Sequence, residues 1–194
     1  MSALIISLIV IFAAELGDKS QLMAMTFAAR FRALPVLVGI TAATALTHLL
    51  SVAAGAALGA ALPSGPISIL AGAAFLGFAA WTLRGDELDE DEGGRARRAT
   101  GSAILAVATA FFLAELGDKT MLATVTLAAE HAGLAGMVGV WAGSTIGMVA
   151  ADALAIVVGR QLGKRLPERF IRYAAAAGFA VFAVLLIAEG VAEL

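Results

Sequence analysis

Glu15-Leu16-Gly17-Asp18-Lys19-Ser20 returns a hundred residues later as Glu115-Leu116-Gly117-Asp118-Lys119-Thr120, and these two hexamers decide how the chain is read. Each lies near the middle of an apolar run long enough to cross a bilayer. An ionisable group at that depth costs several kcal/mol unless it is paired or bound. Charges placed there twice, at one spacing, point to a use.

The surrounding composition agrees. Of 194 residues, 61% are hydrophobic and 14% charged, with a mean hydropathy of +0.94. A soluble domain carries about 25% charged residues. The chain reads as a polytopic membrane protein embedded in a lipid bilayer, with room for about six helices of roughly 20 residues or more. Almost nothing remains for a soluble domain, and nothing in the charge pattern suggests a nucleic-acid partner. The absence of cysteine excludes disulfides, cysteine zinc sites, Fe–S clusters and thiol nucleophiles. The N-terminus has no basic region, and the apolar run behind it carries Glu15 and Asp18, which a cleaved signal peptide would not, so it reads as the first span. With no transit-like extension, the expected setting is a prokaryotic cytoplasmic (inner) membrane.

Apolar runs and their breakers predict spans over 3–29, 34–61, 66–84, 101–129, 134–160 and 168–189. Turn residues mark the gaps, as at Pro63-Ser64-Gly65-Pro66 and Gly163-Lys164-Arg165-Leu166-Pro167. The long connection, 85–100, has an acidic block, two glycines and a basic block, the composition of a solvated linker. It separates a first three-helix repeat, 1–84, from a second, 101–194. A shift of 100 superposes the hexamers, Val38-Gly39-Ile40 on Val138-Gly139-Val140, Thr44 on Ser144 and Gly59 on Gly159.

Three spans per repeat is an odd number, so the second repeat must enter the membrane from the opposite side. The predicted fold class is therefore all-α, six transmembrane helices in two inverted-topology repeats, as in many secondary transporters. Every Arg and Lys outside the hexamers lies in or beside the 1–2, 3–4 and 5–6 connections. Those basic loops are expected in the cytoplasm and both termini outside. Arg30 corresponds to Glu130, as homologous turns on opposite sides of a membrane require.

On a helix, Glu15 and Asp18 would share a face, and Glu115 and Asp118 repeat the pair. Gly17 and Gly117 permit either close backbone approach or a local break that frees carbonyls as ligands. If the first and fourth spans meet at mid-membrane, four carboxylates converge on a site suited to a hard divalent cation. With Lys19 and Lys119 charged, the cluster sums to a net charge of -2. One divalent cation or two protons would neutralise it, and the group would titrate as a unit. The bland alternative, ion pairs that only fix packing, fits two symmetric copies poorly because buried pairs stabilise little.

Two E-x-G-D-[KR]-[ST] hexamers in the first and fourth of six short spans, around an acidic central loop, resemble the transmembrane protein 165 / Gdt-type family of cation/proton exchangers. The likeness covers essentially the whole chain, with no departure in either motif. It implies exchange of Mn²⁺ or Ca²⁺ for protons, as in Golgi, thylakoid and bacterial manganese-exporting members. It also implies a midplane metal site of Glu15, Asp18, Glu115 and Asp118. Lys19, Ser20, Lys119 and Thr120 are supporting motif positions, with backbone breaks at Gly17 and Gly117. The transported ion is the only metal expected; no catalytic residue or resident cofactor is implied.

Outside the motifs, Gln21 could orient a carboxylate, ligate through its amide oxygen, or join helices. Met121, at the same place after the second hexamer, reads as packing. His48 matches Met148 and Asp152 matches Val52 in the repeat, so both are asymmetric additions. Asp152 is a candidate fifth carboxylate or proton relay. His48 is either a core histidine or a group exchanging protons near neutrality. Small-residue strips at Gly39, Ala43, Thr47 and at Gly139, Gly143, Gly147 permit close helix packing, within one chain or in a homo-oligomer. Two rival readings stay open: an exporter of small organic solutes such as amino acids, and a non-transport structural membrane protein. An intramembrane aspartyl protease fits badly, because a lysine adjoins each candidate aspartate.

Overall fold

The computed structural model describes residues 2–84, 102–131, 133–162 and 168–194. The linker 85–100 and the basic turn 163–167 lie outside the described residues. Among those described there are eight helices and no strand: α1 (Ala3–Glu15), α2 (Lys19–Arg30), α3 (Ala33–Ala61), α4 (Ser64–Arg84), α5 (Ala103–Glu115), α6 (Lys119–Glu130), α7 (Gly133–Leu162) and α8 (Glu168–Ala192).

Four of these, over Ala33–Ala61, Ser64–Arg84, Gly133–Gly159 and Tyr173–Ala192, are long and apolar enough to cross a membrane. The runs predicted over 3–29 and 101–129 are each two short helices. The break has one cause in both halves. Gly17 and Gly117 adopt φ of 79° and 81°, a left-handed conformation that suits glycine. Asp18 and Asp118 then stand in extended backbone as the N-cap residues of α2 and α6. The helical face that would have aligned each Glu with its Asp is thus replaced by a kinked turn, closed by Asp18 N–H donating to the Glu15 carbonyl (3.1 Å) and its counterpart at Asp118 (3.2 Å).

The halves interlock. α1 packs on α7 and α5 on α3, α2 packs on α7 and α6 on α3, α3 crosses α7, and α4 pairs with α8. Small residues permit these crossings, and they act within one chain. A Cβ on Gly39 would stand 2.8 Å from the Ile104 carbonyl of α5. Gly143 and Gly147 press on the Leu4 and Leu8 carbonyls of α1 in the same way, and Gly55 and Gly59 on α6. The α4–α8 seam is closed by Phe75, whose ring packs against Phe179 and Phe182 at centroid separations of 5.7 and 4.9 Å.

The α4–α8 pair breaks the pseudo-symmetry. It leans on α6 through α4 and on α1 through α8, while α4 with α5 and α8 with α2 pack less.

Candidate functional site

Both breaks bring their hexamers to the interior. Glu15, Ser20 and Thr120 are fully buried, and Asp18, Glu115, Asp118 and Lys119 are at most 6% exposed. Each half solves the glutamate in the same way. The Ser20 hydroxyl donates to Glu15 Oε2 (2.5 Å), and the Thr120 hydroxyl donates to Glu115 Oε2 (3.1 Å). Both Oε1 atoms are buried with no hydrogen-bond partner among the described residues.

The lysines cross between halves. Lys119 Nζ lies 2.6 Å from Asp18 Oδ1, and Lys19 Nζ lies 3.8 Å from Asp118 Oδ1. Each hexamer takes a counter-charge from the other, which ties the two breaks together in the core. Glu15 and Glu115 are within electrostatic reach of both aspartates, and Glu115 of Glu15. Among the described residues, no three His, Asp or Glu side chains are close enough together to grip one metal ion. On each aspartate it is Oδ1 that lies against an ammonium group of the other hexamer.

The two breaks also place four helix ends together. The C-termini of α1 and α5 present carbonyls there and the N-termini of α2 and α6 present N–H groups, which complement ions of opposite sign.

Gln21 is not a free ligand. Its Oε1 accepts the Gly17 N–H (2.9 Å), and its Nε2 donates to the Ala151 carbonyl on α7 (2.9 Å). Met121 Sδ accepts the Gly117 N–H at 3.2 Å. Asp152, on α7, is fully buried, with neither oxygen hydrogen-bonded among the described residues. It lies within electrostatic reach of Glu15. His48 is buried on α3, its Nδ1 3.2 Å from Thr145 Oγ1. The Thr145 hydroxyl donates its own proton to the Trp141 carbonyl (2.8 Å), so Nδ1 carries the hydrogen in that bond. His48 thus fastens the α3–α7 crossing, beside a bond from Trp141 Nε1 to the Ala45 carbonyl (2.8 Å) that sequence reasoning missed. A tryptophan in an apolar span needs an acceptor for its N–H, and that was the available signal.

Broken helices carrying buried, paired charges among helices long and apolar enough to cross a membrane are an arrangement that ion transporters use. Comparison with known proteins gives the narrower class. The family model described as "Divalent cation/proton antiporter GDT1" matches residues 3–90 and 103–194. A Vibrio cholerae protein named "Putative manganese exporter" is 34% identical over 95% of this chain and 90% of its own length. A GDT1-like protein of Synechocystis is 30% identical over 95% of the chain and 96% of its own length. The chloroplast protein PAM71 of Arabidopsis thaliana is 31% identical over 93% of the chain, which spans 55% of that longer protein. No solved structure matches. The chain belongs to the GDT1 family of divalent cation transporters.

Proposed function

We propose that the protein exchanges a divalent cation, Mn²⁺ first and Ca²⁺ second, for protons, exporting the metal from the cytoplasm across the inner membrane. The observation that carries this reading is the matched pair of buried glutamates. In each, one oxygen is held by a motif hydroxyl and the other has no partner among the described residues. Glu15, Asp18, Glu115 and Asp118 would supply oxygen ligands to a hard cation. As the cation enters, the lysines would give up the aspartates.

Charge sets the exchange. Four carboxylates and two ammonium groups carry a net charge of -2, which one divalent cation or two protons cancel, so the two loads are interchangeable and compete. Asp152, buried within electrostatic reach of Glu15 and with neither oxygen hydrogen-bonded among the described residues, is suited to relay protons. Manganese is favoured by the name of the Vibrio relative. Oxygen ligands alone also suit Ca²⁺. Met121 and His48, two softer donors, already make hydrogen bonds.

In this reading α1 with α2 and α5 with α6 are broken spans, giving six crossings in two inverted repeats, 1–84 and 101–194, joined by the linker 85–100. The positive-inside bias puts both termini outside. Alternating access would expose the site to each side in turn.

The test is flux into proteoliposomes containing purified protein and a metal-sensitive dye, with Mn²⁺ and Ca²⁺ assayed separately, with and without a pH gradient. Gradient-driven flux abolished in Glu15→Gln and Glu115→Gln is expected, and the faster ion identifies the substrate. No flux of either ion in folded protein, or flux unchanged in both variants, would return the organic-solute and structural readings.

A further inference from the structure

The half-spans are fastened to the long helices by different means. Where α6 lies on α3, Gly55 and Gly59 let backbone meet backbone: a Cβ on Gly59 would stand 2.5 Å from the Ala129 carbonyl, and one on Gly55 would strike that of Val125. α1 and α5 are received by glycines in the same way. Where α2 lies on α7, the repeat position of Gly55 is Ala155. The surviving glycine there, Gly159, meets only the end of the flexible Met25 side chain. Close-packed backbone contact is the principal attraction between helices in lipid, so α2 is held less firmly than its counterpart.

What α2 has instead is Gln21. At the break, the Gly17 N–H has lost its helical acceptor and, at mid-membrane, has no water to replace it. Gln21 Oε1 accepts that N–H, and Nε2 of the same side chain donates to the Ala151 carbonyl, one residue before Asp152. A single buried amide therefore fixes the turn after Glu15 and the register of α2 against α7. Met121 repeats only the first bond, through a weaker sulfur acceptor, and has no donor to offer α3. Among the described residues, the α4–α8 pair also packs less on α2 than on α6.

We propose that Gln21 is a positioning residue that latches α2 to α7, and that α2 is the half-span that moves when the site changes access. This rests on the exchange reading for its functional arm alone. α6 stays seated on its glycines, and the hexamer at Glu15 is the one whose geometry changes. A residue that merely fills space at position 21 could be replaced by methionine, the residue its counterpart carries, without penalty.

The experiment is hydrogen–deuterium exchange of the full chain in nanodiscs, together with the proteoliposome assay, on the unaltered protein and Gln21→Met. In the unaltered protein, 19–30 is expected to exchange faster than 119–130. Gln21→Met should speed exchange in 16–30 and leave 116–130 unchanged. It should also raise the Mn²⁺ concentration for half-maximal flux about tenfold, the scale for losing a group that orients a metal ligand, while the maximal rate changes much less. Equal protection of the two segments in the unaltered protein, or a Gln21→Met profile identical to it, overturns the proposal. So does unchanged half-saturation in a variant of a protein that carries metal. Should the unaltered protein carry no metal, the exchange reading fails, and the hydrogen-exchange comparison still decides the latch. Should Gln21→Met fail to fold, the comparison of 19–30 with 119–130 in the unaltered protein decides it.

Discussion

The hexamers at Glu15 and Glu115 have nearly the same sequence, the same left-handed glycine and the same hydroxyl bond to the glutamate, yet unlike surroundings. The Lys119 side chain is 3% exposed and 2.6 Å from its aspartate; that of Lys19 is 18% exposed and 3.8 Å from its own. Gln21 joins the first break to α7, whereas Met121 accepts the Gly117 N–H and has no donor to offer α3. Asp152 has no counterpart, since Val52 occupies its repeat position. A duplicated motif supplies equal carboxylate chemistry to both halves, and the helices around it pack the two copies differently. In the exchange reading proposed above, the symmetric charge would hold the ion and the less closely packed half-span would move.

The ligand symmetry can be broken first, and with the largest effect. Glu15→Gln and Glu115→Gln are each expected to cut metal flux more than about 100-fold, beyond what loss of an orienting group alone causes, as measured in the dye-loaded vesicles. A large loss in one variant only would mean that the two glutamates do not share a site.

The lysines sharpen the inequality. Lys119→Met leaves Asp18 buried without its closest counter-charge, which costs about 3–5 kcal/mol when a buried pair is broken from one side. Lys19→Met should cost a fraction of that, because its pair is longer and its ammonium partly exposed. Melting temperatures in detergent check the order, and equal losses would contradict the geometry.

The hydroxyls come next. Ser20→Ala and Thr120→Ala should each weaken apparent metal affinity by about tenfold. The larger effect is expected at Ser20, whose bond to the glutamate is shorter.

The smallest effect is at the far ends of the half-spans, where Glu130 occupies the repeat position of Arg30. Beyond the end of its span, Glu130 has its pKa raised by partial burial, with Glu189 and Glu193 adding to the shift while the Ser68 hydroxyl and His131 oppose it. A carboxyl group with a higher pKa in the folded chain binds more protons there than when unfolded. Its stabilising effect is therefore full below the unfolded value and lost as pH rises through the folded one. Protection of 127–131 should decline over that window, with intrinsic exchange rates corrected for, and Glu130→Gln should flatten the dependence.

Much of this was legible in advance because it depends on residue type and period. Uninterrupted apolar runs gave the long helices. Glycine inside an otherwise apolar span marked both breaks, and the hundred-residue offset paired Glu15 with Glu115 before any coordinates. The turn that Gly17 and Gly117 impose was one of two options left open, because the same residue also permits close helix contact, as Gly55 and Gly143 show. Gln21 illustrates the limit. Its position after the hexamer marked it as a candidate, but its role depends on the Ala151 carbonyl, 130 positions away in the chain.

The sequence by itself determined a membrane-spanning helical chain with two charged hexamers and an internal repeat, because hydropathy and charge act locally and keep their meaning wherever the chain goes. Only the tertiary structure decided which charge answers which. Lys119 lies on Asp18 of the other hexamer, His48 binds Thr145 across the α3–α7 crossing, α6 meets the glycines of α3, and Gln21 of α2 bonds the Ala151 carbonyl of α7. Those pairings are set by how helices cross. Crossing depends on the shapes of two surfaces at once, and neither is written in a single stretch of sequence.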